Sequence, residues 1–186
     1  MKYLEILDEG WKKHLLPRAD NAPTVISTFA GCGGSSLGYS MAGYRELLAV
    51  EWESNAAKTF AYNFPEIPLY HGDICQLSTD EILKQTGLKD GELDVFDGSP
   101  PCQGFSTAGK RDFDDSRNQL FVEYVRLLNG LMPKVFVMEN VSGMVKGKMK
   151  LIFVEILKKL KESERIWLSG FCTTDEYKIF QCSTST

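Results

Sequence analysis

From Thr24 onward the chain alternates short apolar runs with stretches whose apolar residues recur at helical spacing. The runs at 24–29, 46–50, 68–70, 93–96 and 134–138 predict five strands, and the intervening patterns at 35–41, 55–63, 79–85 and 119–131 predict four helices. Strands alternating with helices require right-handed crossovers, so the expected fold class is α/β, a doubly wound, mostly parallel sheet. Ahead of this block, Leu4, Leu7, Trp11 and Leu15 stand on one helical face over 3–16, and Pro17 with Asp20-Asn21-Ala22-Pro23 breaks the chain. Behind it, Leu151, Val154, Ile156, Leu157 and Leu160 give an apolar face to a helix over 148–161. Ile166-Trp167-Leu168 fits a short strand, and no period follows. The expected organisation is a helical extension over 1–22, an α/β domain over 23–168 and an irregular tail over 169–186.

Composition narrows the class. The 186 residues are 43% hydrophobic and 25% charged, enough for one domain with a substantial core. A formal net charge of -4 argues against a surface that is basic all round, so any contact with nucleic acid must be local. The first residues interrupt their apolar positions with acids, and no stretch is apolar long enough to cross a bilayer. Five scattered cysteines without a C-x-x-C, and His14 far from His71, fit a reducing cytoplasm and no structural metal. The expected location is therefore cytoplasmic, or nucleoid-associated in a prokaryote, with no membrane partner.

The candidate chemistry sits after the predicted strands. Phe29-Ala30-Gly31-Cys32-Gly33-Gly34 follows the first strand and opens a helix, where glycine backbone can approach a nucleotide-like cofactor. Ser36 spoils the strict dinucleotide fingerprint, and a tight turn explains the same glycines. Glu51-Trp52 ends the second strand at the place where an acid accepts from ribose hydroxyls and an indole can stack on adenine. A surface acid beside a core aromatic reads equally well there. Asp73, after the third strand, suits an adenine amino group or an ordinary turn.

The fourth strand runs into Asp97-Gly98-Ser99-Pro100-Pro101-Cys102-Gln103-Gly104-Phe105-Ser106. Two prolines fix φ and stiffen the loop, so a thiol carried on it is aimed; a free core cysteine is the bland alternative. The fifth strand ends in Met138-Glu139-Asn140-Val141, which delivers either a titrating acid or a helix cap to the same edge. All five clusters fall at carboxyl ends of successive strands, where open parallel sheets build their sites.

F-A-G-C-G-G, E-W, G-D-I, G-S-P-P-C-Q-G-F-S, D-S-R-N-Q-L-F and M-E-N-V, in this order, resemble the leading motifs of the cytosine-C5 DNA methyltransferases. The resemblance covers roughly 24–160 and implies a Rossmann-like fold that binds S-adenosyl-L-methionine. It implies that Phe29, Gly31 and Gly33 line the cofactor pocket, Glu51 holds ribose, Trp52 the adenine face, Asp73 and Ile74 the adenine edge, and that Pro100 and Leu120 close it. It further implies Cys102 as nucleophile toward cytosine C6 and Glu139 as the acid facing the base. The implied partner is double-stranded DNA with its cytosine flipped out. Gln103, Ser106, Lys110, Arg111 and Arg117, with Lys146, Lys148 and Lys150, are the candidates for gripping it.

Family members continue with a Gln-x-Arg-x-Arg segment, a target-recognition region and closing motifs that are not found in these residues. The expectation is a truncated or split gene product with an unpaired sheet edge beside the fifth or sixth strand, needing a complementing polypeptide. Three readings compete with a complemented DNA methyltransferase. They are a catalytically silent fragment that binds cofactor or a partner, a tRNA cytosine-C5 methyltransferase, and a nicotinamide dehydrogenase, which the glycine spacing disfavours.

Overall fold

The computed structural model describes residues 2–16, 18–101, 116–139, 154, 158, 172–173 and 178–180. In chain order it contains α1 (Tyr3–Leu15), β1 (Thr24–Thr28), α2 (Gly34–Met41), β2 (Arg45–Glu51), α3 (Ser54–Asn63), β3 (Leu69–His71), a 3-10 turn (Ile74–Gln76) and α4 (Thr79–Thr86). Then come β4 (Val95–Gly98), α5 (Ser116–Leu131), β5 (Val135–Met138), β6 (Cys172–Thr173) and β7 (Lys178–Phe180). The sheet order is β3-β2-β1-β4-β5-β7-β6, with β1 to β5 all parallel. The expected doubly wound α/β fold is the one observed. Its order reverses between β1 and β4, which opens a crevice at their carboxyl ends.

Alternation along each strand divides apolar side chains between two faces. Ile26, Leu48, Val50, Phe96, Phe136 and Met138 form one core with Ile82 of α4 and Tyr124, Leu127 and Leu131 of α5. Ala49 faces the other way and packs with Phe60 and Phe64, against which Trp11, Leu15 and Leu37 lean. Each fully buried Phe contributes about 1.5–3 kcal/mol, so α3 is pinned mainly by two rings. The N-terminal helix docks onto this second face through Trp11, whose ring lies 5.9 Å from that of Phe64.

Local chemistry sets the element ends. The Glu53 carboxylate accepts from Ala56 N at 2.7 Å and starts α3. Ser78 Oγ accepts from Glu81 N at 3.1 Å and starts α4, which stops at Gly87 with φ 73°.

Two expectations need correction. The fourth strand begins at Val95 rather than Leu93, because Asp94 is a clasp: its carboxylate accepts from Thr24 N at 2.7 Å and from Lys134 Nζ at 2.6 Å. Residues 169–186 are not irregular throughout. Strand β7 pairs antiparallel with β5 (Phe136↔Phe180, Val137↔Ile179), and β6 pairs with β7 (Cys172↔Ile179). The edge of β5 that was expected to stand open is therefore covered, which satisfies backbone groups that would otherwise invite another chain. The helix predicted over 148–161, apart from Val154 and Lys158, and the strand over 166–168 lie outside the described residues.

Candidate cofactor and active site

At the carboxyl end of β1 the chain turns through three left-handed residues, Phe29 (φ 56°), Gly31 (φ 58°) and Gly33 (φ 95°). A Cβ on Gly33 would collide with the Phe64 ring, so glycine there is required by backbone conformation and by packing. Ala30 N donates to Val50 O at 3.1 Å, which ties the loop to β2. Glu51 strengthens the tie: Oε2 accepts from Gly31 N and Oε1 from Glu53 N, both at 2.7 Å. Each carboxylate oxygen retains a second acceptor site, so Glu51 can brace the loop and still meet a ligand hydroxyl.

Trp52 follows at once and is 69% exposed, unusual for so large an apolar group. Asp73 Oδ1 caps the 3-10 turn by accepting from Cys75 N at 2.9 Å. Ile74, expected at the adenine edge, is buried in the first core. Pro100 is buried directly after β4, and Leu120 is half-buried on the first turns of α5. Glu139 is half-buried past β5, and its N–H donates to Gly98 O at 3.1 Å, joining the ends of β4 and β5.

The structure thus brings Phe29, Gly31, Gly33, Glu51, Trp52, Asp73, Pro100 and Glu139 to the carboxyl edge of the parallel strands. Cys102, Gln103, Ser106, Lys110 and Arg111 lie outside the described residues, as do Lys146, Lys148 and Lys150. Arg117 falls in the first turn of α5, with its side chain outside them.

Sequence reading passed over a polar layer beneath this edge. Asp97 on β4 is only 6% exposed, and Ser27 lies opposite it on β1. Burial pushes the Asp97 carboxyl up to about 6, against hydrogen bonds from Ser35 and Tyr39, and the nearby Glu139 charge pushes the same way. Glu46 on β2 is raised to about 7 by burial, against the Ser27 and Ser36 hydroxyls. Ser36 Oγ donates to Glu46 Oε1 at 3.0 Å, whereas Ser27 Oγ and Glu46 Oε2 approach without hydrogen-bond geometry. The only available signal was a charged residue inside an apolar strand run, which on its own reads as a solvent-facing position.

A cavity of about 440 Å³, lined by Arg18, Ser36, Ser40, Arg45 and Glu46 among others, lies at the amino ends of the strands. It is at the wrong edge for the clusters above, because parallel sheets bind ligands at their carboxyl edge. Among the described residues no helix is long and apolar enough to cross a membrane.

Strand order, switch-point crevice and glycine turn together define a Rossmann-like α/β protein of the type built around a nucleotide-like cofactor. Residues 23–164 match the family of C-5 cytosine-specific DNA methylases, and the chain belongs to that family. It is 40% identical over 142 residues to the Type II methyltransferase M.AquIA of Picosynechococcus sp., covering 74% of this chain and 57% of that one. To M.DdeI of Desulfomicrobium norvegicum it is 44% identical over 126 residues, 68% of this chain and 29% of the relative. Among solved structures, a prophage-encoded E. coli protein described as a DNA modification methyltransferase superposes with a TM-score of 0.63 at 35% identity, over 76% of this chain and 38% of that one. Spodoptera frugiperda DNMT2 does so with a TM-score of 0.56 at 28% identity, over 74% and 41%. The chain therefore spans little more than half of the first relative and about a third of the second.

Proposed function

We propose that this chain carries the cofactor crevice and the nucleophile of a DNA cytosine-C5 methyltransferase that uses S-adenosyl-L-methionine. The observation that carries the reading is the clustering of a glycine cradle, a braced carboxylate and an exposed indole at one switch-point crevice. The set suits the cofactor chemically. Backbone at Gly31 opens onto free space, Glu51 accepts from hydroxyls, Trp52 offers a stacking face and Asp73 an acceptor for an amino group. Pro100 and Leu120 would wall the crevice.

When bound, S-adenosyl-L-methionine supplies an electrophilic methyl group. The cytosine C5 carbon is too weakly nucleophilic to accept it unaided. The Cys102 thiolate adds to C6, the base's electron pair is pushed toward C5, and Glu139 hydrogen-bonds or protonates N3 to hold the charge that builds. After C5 is methylated, loss of its proton and expulsion of the thiolate restore the base's double bond and the enzyme. A duplex cytosine must leave the stack for this, with Gln103, Ser106, Lys110 and Arg117 reading or gripping the opened strand.

We assign the chemistry to 23–168, with 1–22 as an extension braced on α3. Target choice we assign to residues beyond these 186, carried in the same or a complementing polypeptide. The support is the fraction of the relatives that this chain spans. A cytoplasmic setting accompanies a DNA substrate.

A duplex containing 5-fluorocytosine tests the reading, because fluorine at C5 cannot leave as a proton does and the adduct persists. With cofactor and the complementing residues supplied, the wild type should become covalently linked and Cys102→Ser should not. Trapping on a tRNA but on no DNA would replace the substrate. Trapping on neither nucleic acid would favour a silent cofactor-binding chain.

A further inference from the structure

Helix α5 is the first described element after the segment that bears Cys102, and it lies against the 3-10 turn that follows β3. Ile74 and Leu77 of the turn share one core with Tyr124 and Leu127 of α5. Apolar contact brings the two together but is non-directional, so by itself it leaves the turn able to slide or rotate.

Arg126 supplies the direction. It stands half-buried on α5, and its Nη2 donates to Leu77 O at 2.7 Å and to Ile74 O at 3.2 Å. Ile74 opens the turn and Leu77 closes it, and the two hydrogens of one guanidinium nitrogen serve both ends. Nε donates to the Glu123 carboxylate one helical turn earlier, which fixes the guanidinium plane. Leu77 is fully buried, so its carbonyl has no water to turn to if the guanidinium is removed.

The turn held in this way presents Asp73. Its Oδ1 accepts from Cys75 N and its carbonyl from Gln76 N, both at 2.9 Å, so a shift of the turn carries the carboxylate with it. On the other flank Gly72 N donates to Glu51 O at 3.1 Å, which registers the turn against the brace of the glycine cradle.

We propose that Arg126 is a positioning residue for adenine recognition: by bridging both ends of the turn to α5, it sets where the Asp73 carboxylate meets the exocyclic amino group. It acts through Asp73 and is assigned no contact with the cofactor. The inference rests on the cofactor reading above and deepens it, because selection of adenine over other purines then depends on the helix that follows the nucleophile's segment.

The test is calorimetric titration of the full chain with S-adenosylhomocysteine and with S-inosylhomocysteine, which has an oxygen in place of the adenine amino group. Wild type should prefer the first by about tenfold or more, the worth of a hydrogen bond to a charged group. Arg126→Met keeps an apolar stem and removes every donor, and its preference should shrink to about threefold or less. Adding Asp73→Ala should then reduce the preference no further than Asp73→Ala does alone. A merely structural role would weaken both ligands alike, so a wild-type preference in Arg126→Met overturns the proposal. Hydrogen exchange at the amides of Cys75, Gln76 and Leu77 needs no ligand: faster exchange in Arg126→Met supports the lock, and unchanged exchange overturns it. Should Arg126→Met not fold, Arg126→Gln carries both measurements. A wild type that binds both ligands equally overturns the inference, whereas one that binds neither sinks the cofactor reading and leaves exchange to decide whether Arg126 holds the turn.

Discussion

Replacing Glu46 by Gln should make the protein more stable above neutral pH, the reverse of the usual outcome for a buried, hydrogen-bonded residue. In the folded chain burial raises its carboxyl from 4.5 to about 7. The folded state therefore holds a proton that the unfolded state has released, and stability declines as pH rises between those two values. At 1.36 kcal/mol per unit, the difference integrates to about 2.5 kcal/mol between pH 5 and pH 8.5, a large share of a small domain's total. Gln keeps the shape and an acceptor for Ser36 Oγ, which donates at 3.0 Å, but carries no charge to desolvate. Asp97 adds a slope of the same sign at lower pH and is common to both proteins, so the range above pH 6.5 isolates Glu46. Urea unfolding followed by far-UV circular dichroism at several pH values gives the comparison. Over pH 6.5 to 8.5 wild type should lose about 0.8 kcal/mol while Glu46→Gln stays nearly level. Parallel curves for the two proteins would show that Glu46 is solvated and that the polar layer under α2 is wrongly drawn.

Gly33→Ala should destabilise by about 2 kcal/mol or more, since φ of 95° and the Phe64 ring both oppose a Cβ, and a melt within a degree of wild type would contradict this. Asp94→Ala removes the acceptor for Thr24 N at 2.7 Å, Thr24 Oγ1 at 3.0 Å and Lys134 Nζ at 2.6 Å, and should cost about 2 kcal/mol in urea unfolding. The Asp94 carboxyl is held below its usual range by Lys134 and Thr24, which together outweigh its partial burial. Its contribution is therefore present above the unfolded value and lost as pH falls, so wild type and Asp94→Ala should converge in acid.

The parallel half of the fold was legible because each element was long enough to show a period. Strands β1 to β5 and helices α1 to α5 fall within a few residues of the pattern, and their carboxyl ends collect the motif residues as a switch-point fold requires. The β6–β7 pair was not legible. Two and three residues carry no readable alternation, and the partner of β7 is β5, some forty residues earlier, so no local turn chemistry marks the pairing. Asp94 displaced the start of β4 for a related reason, since a charge inside an apolar run does not say whether it continues the ladder or ends it. The site was legible as residue types but not as geometry. That Glu51 braces Gly31, that Ile74 is buried in the core and that Asp97 and Glu46 lie under α2 all depend on which strand face meets which helix. One strand's pattern does not hold that information.

The central claim is that the carboxyl-edge crevice is a formed cofactor site, and Trp52 is its most exposed component at 69%. Calorimetric titration of the purified chain with S-adenosylmethionine, beside a Trp52→Ala variant of equal melting temperature, tests it directly. The account predicts saturable binding at one site per chain that weakens by about tenfold or more in the variant, the worth of a stacking platform. No binding by the folded wild-type chain, or equal binding by the variant, would contradict it.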